Sequence, residues 1–554
     1  MDPLALIRLL ILLSLLLSLV GCAATPATPP APAQPSGTLR WSLEGVSDLI
    51  RLDPARLGGN QENIPLYLIF GGLVRLNDQL QIVGEGAERW SVSDDGTRYT
   101  FFLRRNLRYA DGSLATAQHF ADALTRMVAP TTGTDFGLSF IENVIGAREV
   151  RSGQAEQIAG VQAVDEHTLT IQLDSPRGYF LSQLTYALTY VVPPGQIETA
   201  GAAWLDQAFG TGPFQVKART PGQSLTLEPN PHYWAGTPSL AEVVFRFYPT
   251  TDAAFDAYLA GEVDVMGSVQ SGVPVSRRGE AQGRPDFLTI NAPVMRYIGF
   301  NNAIPPFNNG FVRQAFAQAV DKERIANQVL GGTVAAAERI LPRGFPGTAL
   351  AVEPLRFDPI GARATLGLAG YVSGSDLPPI ALTYDQGDPD LAAVAQTLQR
   401  NWRETLGIEV RLEPVELQTF INRLDAMVID PTDPNTAMQM YLSVWGADYP
   451  DPQNFISLQL RSDSPYNNGR WSNERFDQLI DRADQLSAER DQGERVQLYR
   501  EAEQLAVSEV GWLPLYSPQV TLAIRPTVRG LVPTVTPQGI LATDWTRVTI
   551  TSTP

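Results

Sequence analysis

Asp390-Leu391-Ala392-Ala393-Val394-Ala395-Gln396-Thr397-Leu398-Gln399-Arg400-Asn401-Trp402-Arg403-Glu404-Thr405-Leu406-Gly407, running straight into Ile408-Glu409-Val410-Arg411-Leu412, is the stretch that decides the fold class. Leu391, Val394, Ala395, Leu398 and Trp402 recur at the spacing of one helical face, and Gly407 supplies the stop. Ile408, Val410 and Leu412 then alternate with charged neighbours as a half-buried strand does. A helix handing directly to a strand is the repeating unit of an α/β lobe.

Working outward, the same design recurs. Val312, Phe316 and Val320 share a stripe with Ala315 and Ala319, which predicts a helix over 311–330 ended by Gly331-Gly332. Tyr99-Thr100-Phe101-Phe102-Leu103, Leu169-Thr170-Ile171-Gln172-Leu173 and Leu225-Thr226-Leu227 read as strands. Two amphipathic helices are expected over 473–486 and 490–510, with their apolar stripes facing the core. After them, Leu513-Pro514-Leu515-Tyr516 and Val520-Thr521-Leu522-Ala523-Ile524 read as two extended segments that Pro518 separates.

Composition excludes several function classes. At 554 residues the chain exceeds a single simple core, so two or three lobes are expected. A formal charge of -17 disfavours nucleic acid and also an anionic bilayer, since both attract basic surfaces. One cysteine rules out an intramolecular disulfide and a multi-thiolate metal centre.

That cysteine is informative through its place. Leu9 to Val20 is an apolar run after Arg8, and as a helix it rises only about 18 Å, against roughly 30 Å of hydrocarbon to cross. A signal peptide over 1–21 fits better, although Asp2 opposes the usual positive start. Leu19-Val20-Gly21-Cys22 resembles the bacterial lipobox, which implies lipidation of Cys22. Residues 22–36, rich in proline and alanine, have nothing large to bury and read as a tether.

No enzyme signature emerges. Lys217 precedes Ala218 and Lys322 precedes Glu323, so no phosphate loop ends in Gly-Lys-Ser/Thr. There is no Gly-x-Ser-x-Gly elbow and no His-Glu-x-x-His helix. His119, His167 and His232 lie far apart, in no ligand-like pair. No catalytic residue, metal or cofactor is therefore expected, although a pair of carboxylates acting on a glycoside is compatible with the composition.

Many short segments then recur in a characteristic order. They include Leu52-Asp53-Pro54-Ala55, Phe70-Gly71-Gly72-Leu73-Val74, Asp94-Asp95-Gly96-Thr97, Gly210-Thr211-Gly212-Pro213-Phe214 and Asn230-Pro231-His232-Tyr233-Trp234. Ala260-Gly261-Glu262-Val263-Asp264-Val265, Ala319-Val320-Asp321-Lys322-Glu323 and Trp445-Gly446-Ala447-Asp448-Tyr449-Pro450-Asp451-Pro452 follow. Taken together the chain resembles solute-binding protein family 5, the oligopeptide- and dipeptide-binding receptors of bacterial ABC importers.

The resemblance implies a periplasmic-binding-protein-like clamp of type II, α/β, with mixed sheets flanked by helices and an extra inserted domain. It places lobe I in 37–74, 204–299 and 523–554, the inserted domain in 75–203 and lobe II in 300–522, with crossings near Phe300-Asn301 and Thr521–Ala523. It implies a monomer at the outer face of the cytoplasmic membrane or in the periplasm, whose partners are a peptide or other small solute, an ABC permease and, through lipid, a membrane. Nickel chelates, haem, oligosaccharides and opines are rival ligands on the same fold. A lipid-anchored hydrolase, and a sensor or adhesin that kept the fold, are rivals of other classes.

For the site, the resemblance implies that Trp445 and Asp448 line the cleft, with Asp448 pairing the ammonium end of a peptide. The competing reading has Asp448 only capping the turn into Pro450-Asp451-Pro452. Gly58, Gly59 and Asn60 are implied to present backbone to the ligand as an added strand; the competing reading is an ordinary Gly-Gly turn. Two departures stand out. Thr116-Ala117-Gln118-His119-Phe120 replaces the usual Thr-Ala-Glu-Asp-Phe, and Leu442 stands where some peptide receptors carry a carboxylate-binding arginine.

Overall fold

Pro389–Leu406 folds as an 18-residue helix. Its start is fixed by the Asp388 carboxylate, which accepts the Asp390 amide at 3.0 Å, and its end by Gly407 at φ 68°. The segment 311–330 differs from expectation. Its helix runs only Gly310–Gln318, after which Asp321 caps a new short turn and Ile325–Val329 widens into a π-turn. The Asp321 carboxylate accepts the Arg324 amide at 2.9 Å, so a side chain that competes with the helical ladder restarts it.

The computed structural model describes residues 35–57, 63–133, 136–268, 271–281, 283–372, 376–532, 536 and 544–551. In chain order the strands are β1 (Thr38–Glu44), β2 (Val74–Leu76), β3 (Ile82–Gly84), β4 (Ala87–Val92), β5 (Arg98–Leu103), β6 (Val161–Asp165) and β7 (Thr168–Gln172). Then come β8 (Phe214–Thr220), β9 (Ser224–Pro229), β10 (Glu242–Tyr248), β11 (Val265–Met266), β12 (Phe287–Asn291), β13 (Val294–Phe300) and β14 (Val334–Ala336). The last are β15 (Ile380–Asp385), β16 (Val410–Val415), β17 (Met440–Gly446) and β18 (Trp512–Ile524), with two short strands near the C-terminus. The fold is α/β and two-lobed in the expected manner.

One strand joins the lobes. β18 pairs with β13 over Trp512–Tyr516 and with β12 over Gln519–Ala523, both antiparallel. Around the first half lie β16, β15 and β17; around the second lie β11, β1, β10, β9 and β8. The two extended segments predicted around Pro518 are thus one 13-residue strand. Proline is tolerated because it sits where β18 changes partners, and its carbonyl still accepts the Ala292 amide at 2.9 Å. The strands change partners at Ala292-Pro293 and Ser517-Pro518, upstream of Phe300-Asn301 and Thr521–Ala523.

Cores sort along the same line. Trp41, Phe214, Phe245, Val520 and Leu522 share one core with Trp204 and Phe70. Ile298, Phe300, Trp402 and Leu513 pack on one face of the other half, and Met295, Tyr297, Trp471 and Trp512 on the opposite face. The four-stranded sheet β4-β5-β7-β6 builds a separate core with Phe120 and Leu124, whose helix Ala117–Val128 is apolar on that side.

Candidate ligand-binding site

Strand direction alone creates a crevice. β15, β16 and β17 are parallel to one another and, through two antiparallel steps across β13, parallel to β18. Their carboxyl ends at Asp385, Val415 and Gly446 therefore point toward the other half of the molecule. β11 is antiparallel to β18 and parallel to β1, which is parallel to β10, so Met266, Glu44 and Tyr248 point back. Two carboxyl edges face each other across the crossing strands, the position where open α/β sheets take ligands.

Trp445 and Asp448 stand at this edge, at the end of β17 and just beyond it. Both are organised by Asn454, a fully buried side chain. Trp445 Nε1 donates to the Asn454 carbonyl at 2.9 Å and to its Oδ1 at 3.1 Å. That Oδ1 also accepts the Asp448 amide at 3.1 Å, while Asn454 Nδ2 donates to Asp448 Oδ2 at 3.4 Å. The Trp445 ring lies 5.6 Å from that of Tyr466.

The turn that follows has its own cap. Asp451, not Asp448, accepts the Gln453 amide at 3.0 Å and starts the Pro452–Asn454 turn. Asp451 is also gripped by Arg495 at 2.9 and 2.7 Å, a bidentate pair buried on both sides. Asp448 is only partly buried, yet the surrounding protein raises its pKa to about 6 against the opposing Asn454 amide. Its charge adds to the effect of burial in raising the phenols of Tyr67, Tyr186, Tyr449 and Tyr466. Tyr449, the residue after Asp448, sets its ring 6.0 Å from Phe140 and 6.3 Å from Tyr179, both from the first half of the chain, so the turn that carries Asp448 meets that half across the crevice.

Residues 81–467 match the family model for bacterial extracellular solute-binding proteins, family 5. The chain belongs to this family. Over 499 residues it is 30% identical to the probable deoxycholate-binding periplasmic protein YgiS of Escherichia coli, spanning 87% of this chain and 89% of that one. It is 28% identical to the periplasmic murein peptide-binding protein MppA of Escherichia coli, covering 90% and 92% of the two chains. The unliganded open form of the murein tripeptide binding protein MppA superposes with a TM-score of 0.80 at 26% identity, over 93% of this chain and 97% of that one.

Within this family member the other expected residues fall out unevenly. Gly58, Gly59, Asn60 and Cys22 lie outside the described residues. Leu442 is buried opposite Ile298, in the core beside the Pro389–Leu406 helix. His119 closes a capping box: its Nδ1 stands 3.4 Å from the Thr116 amide and 3.2 Å from the Tyr109 hydroxyl. Among the described residues no cluster of three His, Cys, Asp or Glu is arranged to hold a metal. No described helix is long and apolar enough to cross a membrane.

Sequence reasoning missed Asn454, Tyr67, Tyr186 and Tyr466. Asn454 carried one readable signal, being two residues beyond Pro452 in the motif that holds Asp448. The three tyrosines carried none, because their nearness depends on how distant segments pack.

Proposed function

We propose that this chain captures short peptides between the two carboxyl edges and hands the loaded form to an ABC permease, acting outside the cytoplasm on a lipid tether. The observation that carries the reading is Asp448: a carboxylate at the crevice, held in place by a neutral amide and flanked by aromatic rings from both halves. Such a carboxylate is oriented without being neutralised by its organiser, which suits it to receive a peptide ammonium. Trp445 offers a flat apolar wall beside it. Closure turns on Ala292-Pro293 and Pro518, because a ligand touching both lobes favours the state in which both contacts exist. Lobe I then ends near Asn291 and resumes near Gln519.

The lipid on Cys22 and the reach of residues 22–36 hold an acidic receptor, whose charge a bilayer repels, near its permease. Trp445, Asp448 and the backbone of Gly58, Gly59 and Asn60 are the proposed ligand contacts, and the receptor works as a monomer without cofactor or metal.

Native mass spectrometry of protein purified without added ligand tests the reading. A ladder of peptide masses is expected; a single bile-acid, haem or metal-chelate mass replaces it with a different ligand class. Labelling with radioactive palmitate in bacterial cells, lost in Cys22→Ser, tests the anchor.

A further inference from the structure

A zwitterionic peptide brings two charges into the crevice, and Asp448 accounts for only one. Leu442 and Ile298, paired across β17 and β13, are both buried and apolar, so that part of the sheet offers nothing to the other. Two register positions nearer the crevice, on the same face, the pair is Val444 and Arg296. Directly paired residues project to the same face of a sheet. Val444 is 42% exposed, so its face at this point is open rather than sealed in core.

Arg296 has donors to spare. Its Nη2 bonds Asp388 Oδ2 at 2.9 Å, the only hydrogen bond its side chain makes among the described residues. Both side chains keep about a quarter of their surface exposed, at 25% and 29%. A guanidinium has five N–H donors in a planar fork, and a carboxylate takes two of them side by side. Asp388 is already committed, with Oδ1 capping the 18-residue helix at Asp390 and Oδ2 on Arg296. The start of that helix carries partial positive charge, which offsets Asp388 and favours a second anion beside Arg296. On the other flank is Tyr516, whose burial-raised phenol feels the opposing charge of Arg296.

We infer that Arg296 receives the carboxylate end of the peptide whose ammonium end Asp448 receives. The inference rests on the peptide reading above. It also bounds ligand length. Val444, beside Arg296, precedes Asp448 by four residues, a separation of at most ~14 Å of chain, and an extended tri- or tetrapeptide is about 10–14 Å long. Free peptides of three or four residues are therefore long enough to reach both charges.

The test is calorimetric titration of the whole receptor with trialanine and tetraalanine, each as free acid and as C-terminal amide. Arg296→Gln is expected to weaken both free acids at least about tenfold and the amides less than about threefold. Arg296→Lys, which keeps the charge but loses the fork, should fall between wild type and Arg296→Gln. Thermal unfolding of each variant separates loss of contact from loss of fold. Arg278 supplies the decisive comparison: it donates to the Gln519 carbonyl at 2.7 Å near the crossing, and its buried Nε has no hydrogen-bond partner among the described residues. If Arg278→Gln gives the acid-selective loss and Arg296→Gln does not, the assignment is overturned. Equal losses for acid and amide in Arg296→Gln overturn it too, while intact binding by wild type leaves the peptide reading standing. A wild-type receptor that binds neither oligoalanine form, yet purifies with one non-peptide mass, overturns both.

Discussion

Asp448 and Asp451 lie three residues apart in one motif and end in opposite circumstances. Asp451 is nearly inaccessible and clamped by both terminal nitrogens of Arg495, which also donates to the Ala483 carbonyl. Asp448 keeps an opening to the crevice and is oriented by the neutral side chain of Asn454. The first arrangement holds a turn in place; the second sets a carboxylate at the edge of the crevice. Burial does not separate structural acids from binding acids. The identity of the organising group does, because a cation consumes the charge and an amide only aims it.

The comparison breaks most visibly at the structural member. Arg495→Ala strands the Asp451 carboxylate in the interior and is expected to cost about 3–5 kcal/mol of stability, read by urea unfolding. Replacing both partners with apolar residues of similar size should recover much of that loss. If Arg495→Ala unfolds at wild-type urea concentration, the Arg495 pair does not give Asp451 a structural role.

Next in size is the binding member. Asp448→Ala should reduce affinity for free-amine peptides about 30-fold or more, and for N-acetylated ones by less than about threefold. Equal losses remove Asp448 from the ammonium contact. Thermal stability should hold or rise, because the substitution takes a carboxylate out of a poorly hydrated site.

pH sharpens the contrast on a smaller scale. Asp448 has its pKa raised to about 6, above its unfolded value, so between roughly pH 4 and 6 the native state binds more protons than the unfolded chain. The unliganded receptor should therefore grow more stable as pH falls from 7 to 5. Asp484, also raised to about 6 by burial, and Glu85, raised to about 7, act in the same direction. Peptide affinity should move the opposite way, falling about tenfold by pH 5 as Asp448 takes up its proton. Asp448→Asn should flatten the affinity profile and leave the Asp484 and Glu85 part of the stability profile. A wild-type affinity that is constant from pH 7 to 5 contradicts this.

The smallest effect belongs to the organiser. Asn454→Ala removes the side-chain acceptor of the Asp448 amide and the weaker of the two acceptors of Trp445 Nε1, leaving the backbone carbonyl, and should weaken peptide binding about fivefold with about 1 kcal/mol of lost stability. Unchanged affinity in a folded variant would show that Asp448 is aimed by something else.

Much of the fold was legible where periodicity was long and its ends were marked. Pro389–Leu406 shows this, since five apolar positions, an aspartate cap and a glycine stop all agree. Legibility failed where tertiary pairing overrode local chemistry. Pro518 looked like a break and is a partner switch inside one strand; the stripe over 311–330 looked like one helix, and Asp321 divides it. The site followed the same rule. Trp445 and Asp448 stood out within their motif, whereas Tyr67, Tyr186 and the arginine beside Val444 came from segments far along the chain.

By itself, then, the sequence determined the period of each element, the order of motifs that marks the family, and the presence of two aspartates near one tryptophan. Only the tertiary structure decided what each aspartate is for. Arg495 lies 44 residues beyond Asp451, and its choice of that carboxylate over Asp448 is made by the packing of the Gln492–Ser508 helix. Charge acts through space at a few ångströms, and no local pattern encodes which distant group will arrive within that range.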